Sequence, residues 1–218
     1  MKILVLSCDK NEDIFPLFHY CMEKNWKDHP EVIYATETID NPYYKTIKKN
    51  YPLEKWSVRI RETLKEIDEE HILLMIDDIF IRKPVDKDRI QFADSILNWN
   101  IAEINFEKAF DNEKNTIYNG FKLKRKGCEY ELSIMCGLWQ KKALIDLLEG
   151  EYNPWEIEYN QNTKNYDFLI NGGDYIIDWG YETFHHVGLV KGKWSREAIE
   201  FFKSEGIEID YEKRGLID

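Results

Sequence analysis

HILLMIDDIFI, residues 71–81, is the segment from which the fold is best inferred. Its first half, 72–76, is apolar without alternation, which is typical of a strand buried on both faces of a parallel sheet. The strand ends at two adjacent carboxylates, Asp77 and Asp78, and open α/β sheets bind their ligands at the carboxyl ends of such strands. Neighbouring acids repel each other unless a cation lies between them, and Mg²⁺-like cations prefer carboxylate oxygens. The pair therefore predicts a metal site, with capping of the next element or contact with water as the alternative.

Composition and charge limit the classes of function. The chain has 218 residues, enough for one sizeable α/β domain with a single core. Its net charge of −11 argues against binding to nucleic acid, because neutralising phosphates needs an excess of Lys and Arg. The four cysteines show no CxxC spacing, which indicates buried thiols in a reducing compartment.

The first residues do not resemble a targeting segment. MKILVLSCDKNED turns polar after four apolar residues, which is too short for a signal peptide. No run approaches the ~20 apolar residues that a spanning helix needs. We expect a cytoplasmic protein, and a position at the inner face of a membrane, with peripheral contact to it, is compatible with that expectation.

The order of the predicted elements indicates an α/β domain. Residues 3–6 and 32–35 are typical of strands, and a helical pattern at 13–26 separates them, which makes a βαβ unit. Residues 41–52 contain two prolines and are expected to be irregular. The remaining predicted elements are helices beginning at 56 and at 195 and spanning 85–99 and 141–148, strands at 101–106 and 175–177, a hairpin arm at 121–126 and an apolar run at 132–139. We expect a single domain with a mostly parallel central sheet flanked by helices.

Four motifs in this order resemble small bacterial glycosyltransferases of the GT-A fold, which act in capsule or lipopolysaccharide assembly. They are WSVRI at 56–60, ILLMIDDIFI at 72–81, CGLWQKKALIDLL at 136–148 and NPWEIE at 153–158. The resemblance covers roughly residues 1–195. It implies one GT-A domain, the nucleotide-diphospho-sugar transferase fold, with a nucleotide-sugar-binding half at 1–106 and a smaller acceptor and catalytic half at 107–218. The Asp-x-Asp signature of that fold is replaced here by adjacent acids, which leaves open whether one or both bind metal.

The resemblance implies a metal-assisted transfer of a sugar from a nucleotide-diphosphate donor, expected to be a UDP-sugar, to a hydroxyl of a glycan or lipid-linked glycan. Mn²⁺ or Mg²⁺ would stabilise the charge that develops on the diphosphate. The implied metal ligands are Asp77, Asp78 and His186. The implied donor contacts are Ser7, Cys8, Asp9, Trp56, Arg59 and Asp77, with Lys191 and Lys193 at the diphosphate. Core packing for Trp56, a surface ion pair for Arg59 and solvation for the two lysines are the alternatives.

The acceptor contacts and the base also follow from the resemblance. The implied acceptor contacts are Gly137, Leu138, Trp139 and Trp155. Inverting transfer needs a base for the acceptor hydroxyl, and the resemblance points to Glu156, with Glu158 second. Residues two apart on a helix point about 200° apart, so only one of them can face the acceptor. Asn153-Pro154-Trp155-Glu156 also has the spacing of a capping box, which gives Glu156 an alternative role.

Two other functions fit the same pattern. One is a catalytically silent module that binds a sugar nucleotide or a glycan, since a fold does not fix a function. The other is a metal-dependent nucleotidyltransferase, in which the paired acids hold a metal for phosphoryl chemistry. The absence of a GxxxxGK[ST] loop disfavours a kinase.

Overall fold

A computed structural model describes residues 1–109, 113–128, 130–159, 163, 165–180 and 188–217. The strands in this part of the chain are β1 Lys2–Leu6, β2 Val32–Thr36, β3 Lys45–Lys48, β4 His71–Ile76, β5 Ile101–Lys108, β6 Lys114–Asn115, β7 Phe121–Leu123, β8 Cys136–Gln140, β9 Asp167–Asn171, β10 Leu189–Val190 and β11 Lys193–Trp194. The α-helices are α1 Phe15–Asn25, α2 Trp56–Leu64, α3 Lys87–Ile96, α4 Lys141–Leu147, α5 Pro154–Tyr159 and α6 Arg196–Ser204. Short 3₁₀ helices at Asp9–Ile14 and Leu53–Lys55 lead into α1 and α2.

One mixed sheet organises the described residues. Its nine strands follow the order β3-β2-β1-β4-β8-β5-β9-β7-β6, and β10 and β11 form a separate hairpin. The first four strands are mutually parallel, with Leu6 of β1 opposite Ile76 of β4. β8 enters antiparallel between β4 and β5. Only β7 and β8 run against the other strands of this sheet, so the predicted mostly parallel α/β fold is confirmed.

Helices cover both faces of the sheet, which explains the missing alternation in the strand sequences. In β1, Ile3 and Val5 face the side covered by α1, α3 and α6, whereas Leu4 and Leu6 face the side of α2, α4 and α5. Successive side chains of a strand point to opposite faces, so a strand that is covered on both sides must be apolar throughout. Among the described residues, no helix combines the length and the apolar character needed to cross a bilayer.

Two element predictions differ from the structure. Residues 41–52, predicted to be irregular, contain β3, whose sequence KTIK buries only Ile47 and therefore gives no strand pattern. Residues 175–177, predicted as a strand, form none. Ile176 and Ile177 are buried, but the carbonyl of Ile176 accepts the N–H of Asp86 outside any ladder. Their apolarity reflects core packing, and the strand lies just before them as β9.

Candidate functional site

A cleft of about 630 Å³ opens at the carboxyl ends of β1, β2 and β4. The chain leaves β1 towards β2 on one side and later returns as β4 on the other side of β1. Such a reversal of strand order separates the loops above the sheet, and ligands of open α/β sheets bind there. The predicted site residues that line this cleft are Ser7, Cys8, Asp9, Trp56, Arg59, Asp77, Asp78 and Trp155.

Asp77 lies at the floor of the cleft with both carboxylate oxygens engaged. The Ser7 hydroxyl donates to Oδ2 at 2.6 Å, which ties the end of β1 to the end of β4. The side-chain amide of Asn11 donates to Oδ1 at 2.9 Å. Burial raises the pKa of Asp77 to about 7, and the two hydrogen bonds oppose that rise. Asp77 is therefore held in one orientation by its neighbours.

Asp78, the next residue, has a buried oxygen with no partner. Its Oδ1 makes no hydrogen bond, although the Gly188 N–H donates to its backbone carbonyl at 2.7 Å. Burial and the adjacent charge of Asp77 raise the pKa of Asp78 to about 8. A desolvated acid in this position either takes up a proton or binds a cation. Asp78 is thus the member of the pair with an oxygen available for a ligand.

The donor set of the acid pair fits a hard divalent cation. Carboxylate oxygens are what Mn²⁺ and Mg²⁺ prefer, and the unpartnered Asp78 Oδ1 is a free oxygen of this kind. In the part of the chain that the structure describes, no three His, Cys, Asp or Glu side chains are grouped for metal binding. His186 lies outside the described residues. The remaining ligands would therefore be protein groups of other kinds, water or substrate phosphates. Water and phosphate ligands are usual for Mg²⁺.

Asp9 joins the ends of β1 and β2 at the opposite wall. Its carboxylate accepts the backbone N–H groups of Thr38 and Ile39, at 3.0 and 3.3 Å, and the Thr38 hydroxyl. Partial burial opposes ionisation of Asp9, but these hydrogen bonds outweigh it and lower its pKa. Asp9 therefore shapes the wall as an ionised turn residue.

Arg59 reaches the cleft from α2 and is buried, with 4% of its surface exposed. It pairs with the carboxylate of Glu37, and its Nη2 donates to the Ser7 carbonyl at 2.8 Å. The ion pair that the alternative named is therefore formed, with Arg59 buried and the Glu37 side chain 26% exposed. Beside it, burial and the charges of Asp77 and Glu37 raise the pKa of the Cys8 thiol to about 11, so this thiol stays protonated.

The two tryptophans of the cleft differ in exposure. Trp56 is buried in the core on the α2 face and presents only part of its ring to the cleft. Trp155 stands at the mouth and is 59% exposed. A buried ring gives a fixed wall, whereas an exposed ring beside a cleft offers an open face for a ligand.

Glu156 and Glu158 have different surroundings. The Asn153 side chain accepts the N–H groups of Trp155 and Glu156 at 3.0 and 2.9 Å, and Glu156 Oε2 accepts the Asn153 N–H at 2.9 Å. The predicted capping box is therefore formed, and Glu156 is exposed and engaged in it. Glu158 is half-buried, and its Oε1 accepts the N–H of Ile134, a cleft residue, at 3.0 Å. Burial raises the pKa of Glu158 to about 7.

Comparisons with known proteins identify the fold. No protein-family model matches the chain, and no curated protein matches its sequence. Among solved structures it is similar to a mannosyltransferase from Pyrobaculum calidifontis in complex with GDP-Man and Mn²⁺, with a TM-score of 0.52, 9% identity and 84% of this chain covered. The chain has a GT-A-like fold.

Two further solved structures are similar in fold. A CMP:2-keto-3-deoxy-manno-octonic acid synthetase complexed with CTP matches with a TM-score of 0.51 and 10% identity, over 79% of this chain and 89% of that one. A cytidylyltransferase from Leptospira borgpetersenii matches with a TM-score of 0.50 and 11% identity, over 94% of each chain. Two of the similar structures are longer than this chain. It spans 58% of the mannosyltransferase and 50% of a bifunctional IspDF from Campylobacter jejuni. These identities show the fold alone.

Some predicted site residues of this GT-A-like chain do not line the cleft, and Glu156 and Glu158 are among them. Gly137, Leu138 and Trp139 are buried in β8 at the centre of the sheet, so the predicted acceptor contact does not fit their position. A Cβ on Gly137 would lie 2.9 Å from Glu103 Oε1, which explains this glycine by internal packing. Lys191 and Lys193 are exposed in the β10–β11 hairpin and do not line the cleft.

Sequence reasoning missed three residues around the site. Glu107 stands near the end of β5, accepts the Ser133 hydroxyl at 3.3 Å and adds to the raised pKa of Glu158. The rule that singled out the acids after β4 also applies to β5 and could have found Glu107. Asn11 and Arg214 approach Asp77 from a loop and from a segment 137 residues further on, and no local pattern indicates either of them.

Proposed function

We propose that this protein is a metal-assisted glycosyltransferase that takes a sugar from a nucleoside-diphosphate donor, with a UDP-sugar expected. The observation that carries the proposal is the unpartnered Asp78 oxygen in a cleft at the reversal of strand order. A buried carboxylate oxygen with no partner favours a bound cation there, and a cation in turn favours a diphosphate. The mannosyltransferase of similar fold contains GDP-Man and Mn²⁺, which accords with this proposal.

The donor would lie along the ends of β1 and β4. Ser7, Cys8, Asp9 and Trp56 would surround the nucleoside, and Arg59 would hold the wall through Glu37. Mn²⁺ or Mg²⁺, when bound by Asp78 beside Asp77, would act as a Lewis acid that stabilises the diphosphate leaving group. His186 as a further ligand stays part of the proposal. Lys191 and Lys193, which do not line the cleft, would contact the diphosphate only if it extends beyond the lining residues. The donor would thus use mainly residues 1–106, and the acceptor 107–218.

The acceptor hydroxyl would be deprotonated by Glu158, with inversion at the sugar carbon. A general base works best when its pKa is close to the working pH, and the pKa of Glu158 is raised to about 7. Glu156 is occupied by its capping box, which makes it the weaker candidate. Trp155 at the mouth would pack against an acceptor glycan or lipid-linked glycan, as in capsule or lipopolysaccharide assembly.

The charge of the cleft supports this proposal over that of a nucleotidyltransferase. In the described residues, the basic groups that line it are Lys10 and Arg59, and Arg59 is already paired with Glu37. Against them stand Asp9, Glu37, Asp77 and Asp78. A nucleoside triphosphate is more negative than a nucleotide sugar and needs more cationic contacts. The loop after β1 contains no glycine. Both observations favour the glycosyltransferase.

The test is a panel of nucleotide sugars incubated with the protein and Mn²⁺ or Mg²⁺. We expect metal-dependent release of nucleoside diphosphate from one donor, slow in water and faster with an acceptor. Release of pyrophosphate from a nucleoside triphosphate would instead show a nucleotidyltransferase. Tight binding of a nucleotide sugar without turnover, with any acceptor, would show a silent binding module.

A further inference from the structure

Arg214 brings a distant part of the chain to the acid pair. Its side chain is 10% exposed and pairs with Asp13 of the 3₁₀ helix that follows β1, with Nε 2.8 Å from Asp13 Oδ2. Its Nη2 donates to the Lys10 carbonyl at 2.6 Å and to Asn11 Oδ1 at 3.3 Å. The guanidinium is therefore fixed against the loop that forms one wall of the cleft.

The contact with Asn11 fixes the orientation of its amide. A guanidinium group has only donors, so it must face the oxygen of the amide. The Asn11 nitrogen then points the other way and donates to Asp77 Oδ1 at 2.9 Å. With the amide reversed, its carbonyl oxygen would face the carboxylate of Asp77 and repel it. Arg214 and Asp77 thus favour the same orientation of the Asn11 amide.

Backbone hydrogen bonds connect the same segment to Asp78. Trp194 donates to the Gly215 carbonyl at 3.0 Å, and Ile217 donates to the Trp194 carbonyl at 2.9 Å. The neighbouring Ser195 donates to Gly188 at 3.0 Å, and Gly188 donates to Asp78 at 2.7 Å. The segment 211–217 is therefore linked to both acids indirectly, to Asp77 through Asn11 and to Asp78 through the 194–195 backbone and Gly188.

We propose that Arg214 is a positioning residue of the donor site, which orients Asn11 so that Asp77 is held in place while Asp78 keeps a free oxygen for the cation and its diphosphate. The identity of the bound cation and diphosphate rests on the proposed function, but the orientation of Asn11 does not. Groups that hold a metal ligand in place without touching the metal typically contribute about 10- to 100-fold to metal affinity.

The experiment is a double-mutant cycle of Arg214→Ala and Asn11→Ala, read by Mn²⁺ affinity in electron paramagnetic resonance and by UDP affinity with Mn²⁺. Each single variant should weaken Mn²⁺ binding about tenfold or more, and the double variant should be no worse than either, because the two residues act as one unit. Asp13→Asn is the matched control, since it removes the ion pair but leaves the contact with Asn11. It should bind Mn²⁺ within a few-fold of the unaltered protein.

The opposite results overturn the proposal. If the losses of Mn²⁺ affinity in Arg214→Ala and Asn11→Ala are additive, Arg214 does not act through Asn11. If Asp13→Asn loses as much Mn²⁺ affinity as Arg214→Ala, Arg214 only holds the segment 211–217 in place. Should Arg214→Ala fail to fold, Arg214→Lys serves instead and should lose part of the Mn²⁺ affinity, because an ammonium cannot reproduce the fixed guanidinium geometry.

A ligand-free measurement separates this proposal from the proposed function. The side-chain NH₂ of Asn11 has one proton bonded to Asp77, and its NMR shift should move towards that of a solvated amide in Arg214→Ala but not in Asp13→Asn. An unchanged shift refutes the positioning role. If the unaltered protein binds neither Mn²⁺ nor any nucleotide while the Asn11 shift responds as expected, the proposed function fails and the orientation by Arg214 stands.

Discussion

At the scale of single residues, the two acids after β4 differ in what their oxygens contact. Asp77 is fully hydrogen-bonded, whereas Asp78 has an unpartnered oxygen. Asp78→Asn should keep the fold, because the amide has the same shape and removes a buried acid. It should abolish metal-dependent donor turnover, measured as nucleoside diphosphate release. Asp88→Asn, at an exposed position in α3, is the control and should be fully active. Normal turnover by Asp78→Asn would show that the metal site was assigned wrongly.

The second residue-scale prediction separates chemistry from capping on α5. Glu158→Gln should leave donor affinity within a few-fold and reduce transfer by orders of magnitude, whereas Glu156→Gln should transfer almost normally. A base must be deprotonated, so the transfer rate of the unaltered protein should rise with pH through about 7, following the pKa of Glu158. The pH–rate profile of each variant checks this. If Glu156→Gln is the inactive variant, the roles are reversed.

Residue identities could be predicted from sequence where the signal is local. The acids after β4 follow from an apolar run that ends in two carboxylates, and the capping box follows from its spacing. The burial of Arg59 could not be predicted, because its partner Glu37 lies 22 residues away on another strand end. The choice between Glu156 and Glu158 likewise depends on the packing of α5 against Ile134, which helix geometry alone does not give.

At the scale of elements, the turn after β4 depends on a glycine, Gly188, that approaches it from the position just before β10. A Cβ at Gly188 would lie 2.1 Å from the Phe80 ring and 2.9 Å from the Asp78 carbonyl. The Phe80 ring cannot yield, because Trp194 and Phe202 pack against it. Gly188→Ala should therefore displace the turn, cost about 1–3 kcal/mol of stability and weaken Mn²⁺ binding.

Gly173→Ala is the matched control for this substitution. Its added Cβ would meet the guanidinium of Arg89 at 3.3 Å, a flexible group outside the cleft, so stability and Mn²⁺ binding should barely change. Thermal unfolding and metal titration compare the two variants. Equal behaviour of both would contradict the link between Gly188 and the turn that carries Asp78.

Elements could be predicted where one pattern dominates the segment. β1, β2 and β4 are continuous apolar runs, and Ser195 accepts the N–H of Ala198 as the predicted cap of α6. β3 was not predicted, because a short edge strand with one buried residue has no periodicity. The position of β8 within the sheet was not predicted for another reason, since an apolar run does not indicate which strands it will pair with.

At the scale of the whole molecule, several buried acids couple stability to pH. Burial raises the pKa values of Asp77, Glu103 and Glu158 to about 7 and that of Asp78 to about 8. The unfolded chain has already released these protons near pH 4, so the folded state binds more protons between about pH 4 and 8. Stability contributed by the protonated forms is therefore lost progressively as pH rises from about 4 to about 8.

The metal-free protein should accordingly unfold at a lower temperature at about pH 8.5 than at about pH 6, by several degrees, since one pKa unit corresponds to about 1.4 kcal/mol. Asp78→Asn should flatten this dependence, and saturating Mn²⁺ should raise the unfolding temperature most at the higher pH. Scanning calorimetry across that range is the measurement. A higher unfolding temperature at the alkaline end would contradict the raised pKa values.

The position of β8 also has a consequence for how the molecule is made. The ribosome translates β4 and β5 before β8, which later pairs with both. During that interval the growing polypeptide carries two apolar strands whose facing edges lack partners, and such edges are prone to associate with other chains. The sheet can close only after residue 140 has left the exit tunnel. We therefore expect assembly to be late and concerted, with residues 1–106 aggregating when they are synthesised alone.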